Sequence, residues 1–198
     1  MNDKNDGKID RRIRRTRAAL KHVLMELLKK KPIDKITVTE LCQMVEINRS
    51  TFYQHYCDVY ALLEDIESDF LIQCDVLAQE IINSTLPPLE VSNRLLRYIY
   101  ENKELLYLFV FRHKQEDFEL RIHEKILRLF RIKVLQTYTL QPNVTSTEFD
   151  DLLLFLTAGY YSVYKRWIKD GCKDDIDAIA SQITIISDLC LNHFLQAK

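Results

Sequence analysis

Glycine and proline are so scarce in this chain that fold classes built on many tight turns are excluded. Only three glycines and four prolines occur among its 198 residues. Sandwiches of β-strands and nucleotide-binding folds with glycine-rich loops need many more of both. Hydrophobic residues make up 47% of the chain and charged residues 29%, which is typical of a soluble globular protein of one or two domains. The sequence therefore predicts an all-α fold.

The longest apolar stretches are too short to cross a membrane. They cover residues 105–111 and 152–161, whereas a spanning helix needs about 20 apolar residues. The N-terminal segment, MNDKNDGKIDRRIRR, is polar and charged and lacks the apolar region of a secretory signal. We therefore expect no membrane partner and a cytoplasmic location.

The five cysteines are widely spaced and form no Cys-x-x-Cys pair, and no histidine lies at zinc-finger spacing. We expect free thiols in a reducing compartment, with no metal site and no cofactor. Redox sensing by one cysteine is an alternative to its ordinary use as a small apolar residue in a helix. The cysteines are Cys42, Cys57, Cys74, Cys172 and Cys190.

Charge is distributed unevenly along the chain, although the net charge is only −1. Residues 1–60 contain 13 Lys and Arg against 8 Asp and Glu, whereas residues 61–198 contain 15 against 21. A basic surface releases counterions when it binds a phosphate backbone, so the N-terminal part is the candidate nucleic-acid surface. The acidic remainder is not expected to touch DNA.

Apolar residues at helical spacing predict a first long helix from about Asp10 to Lys30, which Pro32 ends. Arginines crowd its first turns, and Arg14 and Arg15 are candidate DNA contacts. The alternative is that the cluster is only a solvated helix face. The arginines are Arg11, Arg12, Arg14, Arg15 and Arg17.

Two short helices follow at the spacing of a helix-turn-helix motif. The segment Thr37–Glu40 predicts a capping box, in which Thr37 accepts from the Glu40 amide and Glu40 reaches back. After a turn at Glu46, Asn48 is a good N-cap for a third helix that runs from Arg49 to about residue 55. The turn carries no glycine, unlike many helix-turn-helix motifs.

The third helix has the composition of a recognition helix. Phe52 and Tyr56 lie four residues apart and face inward, so polar side chains remain for the outer face. Arg49 can pair with guanine and Gln54 with adenine. Hydroxyl groups of Thr51 and Tyr53 can donate to phosphate oxygens. The outward set is Arg49, Ser50, Thr51, Tyr53, Gln54 and His55.

The rest of the chain predicts further helices and a second, larger domain. Asp58 can cap a fourth helix that extends to residue 82, and a loop at 83–88 contains two prolines. Gly171 suits the left-handed end of a helix. We expect an N-terminal DNA-binding domain at residues 1–57 and an effector-binding and dimerisation domain at 58–198. The remaining helices are predicted at 89–100, 103–112, 117–138, 148–169 and 174–195, with a loop at 139–147.

The last two helices, at about 148–170 and 174–195, have more apolar residues than an ordinary surface hairpin. Two apolar faces require two partners, so one face is expected in the domain core and the other in a homodimer interface of four helices. The alternative is a larger monomeric core.

Polar and aromatic residues interleaved with apolar positions in the C-terminal domain suit a small-molecule pocket. Each is also a common residue of an ordinary core or surface. A protein partner bound by this acidic domain is the alternative to a small-molecule effector. The candidate pocket residues are His113, His123, Tyr160, Tyr164 and Trp167, with Tyr138 as a further member.

The sequence lacks the common catalytic motifs. It contains no glycine-rich phosphate loop, no Gly-x-Ser-x-Gly elbow and no His-Glu-x-x-His helix, and its five histidines do not cluster with carboxylates. We therefore expect no catalytic residues and no enzyme activity.

From about Arg15 to Leu63 the chain resembles the tetracycline-repressor (TetR/AcrR) family of bacterial regulators. The segment that carries the resemblance is ITVTELCQMVEINRSTFYQHYCDVYALL. The resemblance implies groove or backbone contacts by Thr37, Thr51, Tyr53 and His55, with Arg49 and Ser50 opening the recognition helix. It also implies a regulator, expected to be a repressor, that binds a palindromic double-stranded operator as a homodimer and responds to a small molecule.

Two details refine this resemblance. The segments INRSTFYQHY and GYYSVYKRWIKDG resemble a subgroup common in low-GC Gram-positive bacteria, some of whose members resemble activators of dihydroxyacetone metabolism. The family usually has a phosphate-binding lysine where this chain has Val59. That departure puts one phosphate contact in doubt, and the arginines of the first helix are available to compensate for it.

Overall fold

The computed structural model describes residues 3–112 and 116–198, and it describes side chains for these except residues 3–10, 116 and 197. The chain forms two compact units that divide between Leu71 and Ile72. Helices dominate both units, so the predicted all-α fold class is confirmed. The units divide later than residue 57, and the proposed functional boundary at 57 stays a prediction.

The first unit is built from the helices that surround a small apolar core. Leucines 20, 24, 41 and 62 are fully buried there together with Phe52. The helix α1 ends at residue 28, slightly before the predicted end, because the lysines that follow form a turn before Pro32. The elements are α1 (Asp3–Leu28), a 3-10 turn (Ile33–Lys35), α2 (Val38–Val45), α3 (Arg49–Tyr53) and the first part of α4 (Val59–Asn83).

The start of α2 realises half of the predicted capping box. Thr37 Oγ1 accepts a hydrogen bond of 3.2 Å from the Glu40 amide. The Glu40 carboxylate does not reach back; it binds the Lys31 ammonium at 2.6 and 2.8 Å. A charge-assisted bond to an ammonium group is stronger than one to a neutral amide. The prediction of a reciprocal box was therefore wrong in its second bond.

The turn between α2 and α3 places a glutamate in the left-handed region. Glu46 has φ 58° and ψ 45°. The Ile47 amide donates to the Cys42 carbonyl at 3.0 Å, and the Glu46 amide donates to the Gln43 carbonyl at 3.3 Å. These two bonds form a Schellman motif, in which glycine is the usual left-handed residue. The motif lets the chain turn sharply into α3 without a glycine.

The second unit contains the rest of α4 and the C-terminal helices. Helix α5 packs against α9, and α7 packs against α8. Large side chains fill its core, among them Phe109, Phe118, Phe149 and Trp167. The elements are α5 (Pro88–Glu101), α6 (Lys103–Tyr107) with a following π-helical turn (Leu108–Arg112), α7 (Glu116–Thr137), β1 (Tyr138–Leu140), α8 (Ser146–Lys169), α9 (Ile176–Leu191) and β2 (Leu195–Ala197).

A short antiparallel ribbon was not predicted. Strand β1 pairs with β2, and Thr139 lies opposite Gln196. The last helix therefore ends at Leu191 and does not reach residue 195, and the predicted loop from residue 139 begins with a strand. The Gln141 amide also donates to the Phe194 carbonyl at 3.0 Å. Three-residue strands are too short to show the alternation by which strands are recognised in a sequence.

The ends of α8 follow local rules. Thr145 and Glu148 form a reciprocal capping box at its start, one that the predicted start at residue 148 had overlooked. At its end, Gly171 has φ 79°, as predicted for a left-handed residue. The Cys172 amide donates to the Trp167 carbonyl at 2.8 Å, and the Gly171 amide donates to the Ile168 carbonyl at 3.0 Å. This second Schellman motif buries Cys172 beside the end of the helix.

Candidate nucleic-acid interface and effector cavity

Helix α3 presents a polar surface above a buried aromatic base. Phe52 is fully buried and Tyr56 is 6% exposed. The other side chains of the predicted recognition surface are accessible: Arg49, Ser50, Tyr53 and Gln54 are exposed, and Thr51 and His55 are half-buried. The spacing of Phe52 and Tyr56 thus leaves one side of the helix free for a partner.

Arg49 and Tyr53 are linked on this surface. A hydrogen bond with the Tyr53 hydroxyl raises the pKa of Arg49, and the two residues lie one helical turn apart. The Tyr53 ring meets the ring of Phe52 edge to face, with centroids 5.6 Å apart. The buried ring therefore supports the tyrosine that lies beside Arg49.

The ends of α3 differ from the prediction in two ways. Asn48 occupies the N-cap position, but its side chain makes no capping hydrogen bond. The helix ends at Tyr53, and the chain continues in a turn in which the His55 and Tyr56 amides donate to the Phe52 carbonyl. Gln54 and His55 therefore lie on this turn and not on the helix itself.

The arginines of α1 fall into two groups. Arg11, Arg12, Arg14 and Arg15 are exposed, so Arg14 and Arg15 are accessible as predicted contacts. Arg17 instead binds within the first unit. Its Nε donates to the Tyr56 hydroxyl at 3.1 Å, and its Nη2 lies 2.8 Å from Asp65. The sequence analysis grouped Arg17 with the other arginines of the first turns, as a DNA contact or a solvated residue, and missed this role.

Asp65 on α4 is the centre of a charge network. It accepts a bond of 2.6 Å from the Tyr56 hydroxyl and pairs with Lys21 at 2.7 Å. Burial raises the pKa of Asp65, but hydrogen bonds from Lys21, Tyr56 and Arg17 outweigh this effect and hold the pKa at about 2. Burial and the bond to Asp65 raise the pKa of Tyr56 to about 12. The network holds Tyr56, one of the two buried aromatic residues below the polar surface of α3, in place.

The second unit contains a cavity of about 110 Å³ that is partly open to solvent. Two predicted pocket residues on α8, Tyr160 and Tyr164, lie in its wall together with Tyr138 of β1. Most of the remaining wall is aliphatic and comes from α5, α7 and α9. The α7–α8 and α5–α9 pairings thus converge on a space with apolar walls and a few hydroxyl groups.

The other predicted pocket residues lie elsewhere. His123 Nε2 lies 3.2 Å from Thr157 Oγ1, and its ring stacks on Tyr161. Trp167 is fully buried and donates from its indole nitrogen to the Asp174 carbonyl at 3.1 Å. Neither residue belongs to the wall of this cavity. His113 lies outside the described residues.

Comparison with known families gives this architecture a classification. The model of a TetR-type transcriptional regulator C-terminal region matches residues 88–189, which is more than half of the chain. The chain belongs to the TetR family of transcriptional regulators. The resemblance noted in the N-terminal segment is thereby confirmed from the opposite end of the sequence.

Solved TetR-type structures share the fold. A TetR transcriptional regulator from Streptococcus agalactiae superposes with a TM-score of 0.65 at 20% identity, covering 91% of this chain and 98% of that chain. The dihydroxyacetone kinase operon activator DhaS gives 0.63 at 18% identity over the same shares. Thermus thermophilus FadR, a repressor in complex with lauroyl-CoA, gives 0.52 at 18% identity, covering 86% and 92%. No curated protein sequence matches the chain significantly.

Within this TetR fold, Val59 is placed differently from a phosphate-binding lysine. It is the first residue of α4 and is only 6% exposed. The preceding Asp58 caps the helix by accepting from the Ala61 amide at 2.8 Å, as predicted. Position 59 therefore contributes an apolar contact to the first unit.

Among the described helices, none is long and apolar enough to span a membrane.

Proposed function

We propose that this chain is a repressor that binds a palindromic operator as a homodimer and releases it when a small-molecule effector binds the second unit. The observation that carries the proposal is the accessible polar surface of α3 above buried Phe52 and Tyr56. In helix-turn-helix proteins such a helix enters the major groove with its N-terminal residues against base edges. We propose that the regulator acts in the cytoplasm without catalysing a reaction.

The proposed contacts divide into two kinds. Arg49 and Gln54 read base edges, because a guanidinium matches guanine and a carboxamide matches adenine. The other groups bind the phosphate backbone and fix the register of the helix. Thr37 is exposed and uses its hydroxyl oxygen to cap α2, so its hydroxyl proton is free to donate to a phosphate. The proposed phosphate contacts are Arg14, Arg15, Thr37, Ser50, Thr51, Tyr53 and His55.

Exposed apolar side chains on the last two helices support the homodimer. On α8, Leu154 is 50% and Phe155 72% exposed. On α9, Ile185 is 57% and Leu189 72% exposed. Large exposed apolar side chains on adjacent elements are typical of protein interfaces. We propose that α8 and α9 pair with the same helices of a second copy.

Gly159 gives this surface a point of close approach. It lies in the middle of α8 and is exposed, and a methyl group added there would contact nothing within 4 Å. A mid-helix glycine costs about 1 kcal/mol relative to alanine. A close helix crossing from the partner explains why a glycine is tolerated at this position.

The cavity supports an effector. FadR from Thermus thermophilus is a TetR-family repressor described in complex with lauroyl-CoA, so a member of this fold binds a small molecule and represses. An effector changes DNA affinity only when it binds one separation of the two recognition helices better than the other. We propose that ligand binding in this chain favours a separation that does not match the operator half-sites.

The test is binding of the full chain to a fluorescent duplex of its own upstream intergenic region, titrated against salt. We expect affinity to fall steeply with salt, and to be lost in the Arg49→Ala, Tyr53→Ala double variant. Arg128 and Tyr107 are an exposed arginine and tyrosine of the second unit, so Arg128→Ala, Tyr107→Ala is the matched control and should bind normally. Equal binding by both double variants would contradict the proposed surface. A folded dimer that binds no duplex would contradict the proposal itself.

A further inference from the structure

Tyr164 is a buried tyrosine on α8. The residue is 6% exposed and lies in the wall of the cavity. Among the residues that the structure describes, none makes a hydrogen bond with its hydroxyl group. The fully enclosed polar side-chain atom without a partner in the described residues is Asn93 Oδ1 and not this hydroxyl group, so the Tyr164 hydroxyl group is open to the cavity. Burial also raises the pKa of Tyr164, so the group remains a protonated donor.

Tyr160 can accept a hydrogen bond, whereas Tyr164 can donate one. Ser187 Oγ donates its only proton to the Ile183 carbonyl at 2.8 Å. The short contact between Tyr160 and Ser187 must therefore use the tyrosine proton, with Ser187 Oγ as the acceptor. The Tyr160 oxygen keeps a lone pair for another donor. Both tyrosines lie in the cavity wall.

The two tyrosines line the same cavity from the same helix. They lie four residues apart on α8, so they share a helix face with their β-carbons about 6 Å apart. Tyr164 can donate a hydrogen bond and Tyr160 can accept one. A hydroxyl group is the simplest ligand group that accepts one bond and donates another.

The remaining wall limits the size and charge of the occupant. A cavity of about 110 Å³ is close to the engineered cavities of about 150 Å³ that hold benzene. Lys133 and Asp188 carry the only charges in the described wall, and their signs cancel. Lys133 also donates to the Ser84 carbonyl at 2.9 Å. Such a wall favours a neutral occupant over an anion.

We infer that the cavity binds a small neutral alcohol or phenol, about the size of one six-membered ring, whose hydroxyl group accepts from Tyr164 and donates to Tyr160. This inference rests on the proposed function, since it names the chemical class of the effector. The aliphatic side chains of α5, α7 and α9 bind the ring, and the tyrosine pair selects for the hydroxyl group.

The test compares phenol, toluene and benzoate as ligands of the full chain by calorimetry. Phenol and toluene have the same shape, and benzoate adds a charge. We expect phenol to bind about five- to hundredfold more tightly than toluene, which is the range of two neutral hydrogen bonds, and benzoate to bind most weakly. Tyr164→Phe removes one of the two proposed hydrogen bonds, so it should reduce the advantage of phenol and leave toluene unchanged.

Tyr161→Phe is the matched control for this variant. Tyr161 is on the same helix but donates to Glu119 at 2.8 Å and is absent from the cavity wall. Its variant should keep the preference for phenol. Tyr164→Phe removes only an unpaired hydroxyl group, so the variant should fold at least as stably as the parent chain.

Three outcomes would overturn the inference: no binding of phenol, tighter binding of benzoate than of phenol, or a preference for phenol that is undiminished in Tyr164→Phe. None of them affects the DNA titration, which uses variants of the first unit. Failure of the ligand class is therefore distinguishable from failure of the proposed function. Duplex binding without phenol binding leaves a regulator with another effector.

Discussion

The Nη2 atom of Arg17 lies 2.8 Å from both carboxylate oxygens of Asp65. Lys21 shares the same carboxylate from the next turn of α1, and Tyr56 shares it from the turn after α3. The side chain of Asp65 is only 19% exposed. The Asp65 carboxylate therefore connects α1 and α4 with Tyr56, which lies in the turn after α3.

Asp65→Asn should destabilise the first unit. The substitution leaves Arg17 without its counter-charge and Lys21 with Asp69 alone, and we expect the free energy of unfolding to fall by about 1–3 kcal/mol at pH 7. Amide hydrogen exchange within residues 20–28 measures this locally. Asp34→Asn is the control, because Asp34 is exposed and its partner Lys35 is exposed too; its effect should stay within about 0.5 kcal/mol.

The stabilisation by Asp65 should disappear in acid. The pKa of the carboxyl group is about 2 in the folded chain against an ordinary value of 3.8, so folding favours the charged form. Its contribution, about 2 kcal/mol, is complete above the ordinary pKa and is lost as the pH falls from about 4 towards 2. Urea unfolding of the parent chain and Asp65→Asn at several pH values measures it. A difference between them that stays constant from pH 6 to pH 2 would contradict this assignment.

Glu46 should tolerate glycine but not valine. Its φ of 58° lies in the left-handed region, which glycine adopts freely and β-branched residues avoid. We expect Glu46→Gly to retain or slightly raise the thermal stability, and Glu46→Val to cost about 1–2 kcal/mol. Circular dichroism during heating compares the two variants. If valine is as well tolerated as glycine, the backbone at Glu46 is not left-handed in solution.

Charges placed on the proposed dimer surface should separate the two copies. Phe155→Asp combined with Leu189→Asp puts carboxylates on side chains that are each 72% exposed. Because the exposed positions do not support the core, the variant should fold but sediment as a monomer. Leu120→Asp is the control, since Leu120 is 58% exposed and lies on α7, which is not one of the two proposed interface helices. A dimer that persists in the double variant would place the interface elsewhere.

Val59→Lys should add a phosphate contact. The family usually has a lysine at this position, and a lysine can cover the apolar contact with its stem while its ammonium group reaches solvent. We expect tighter DNA binding and a salt dependence of the affinity that is steeper by about 0.9 in log–log slope. Leu120→Lys adds the same charge to the second unit. If both variants gain equally, the effect is one of net charge alone.

Features governed by local spacing were predictable from the sequence. Phe52 and Tyr56 form the buried base of α3 because they lie four residues apart, and Gly171 is left-handed because it ends a long apolar helix. Features that depend on partners far away in the sequence were not predictable. Arg17 was one of a cluster of five arginines in the sequence, and its partner Asp65 lies far along the chain. Glu40 binds Lys31 and does not complete the predicted capping box.

The candidate sites show the same division. Tyr160 and Tyr164 were candidate pocket residues in the sequence, and both lie in the cavity wall. His123 and Trp167 have equally suitable chemistry, but partners on α8 and in the loop before α9 hold them elsewhere. Composition alone does not distinguish these cases, because it contains no information on which side of a helix meets a neighbour.

The ribbon of β1 and β2 is a noncovalent link between two distant parts of the second unit. It joins Thr139 to Gln196, which are 57 residues apart along the chain, and so closes α8 and α9 into a loop. Thr137, Tyr138 and Leu191, which flank or begin the two strands, also lie in the cavity wall. Separation of β1 from β2 therefore loosens the wall of the cavity. Protection of the strand amides against hydrogen exchange consequently reports how often the cavity opens, and a bound ligand should slow that exchange.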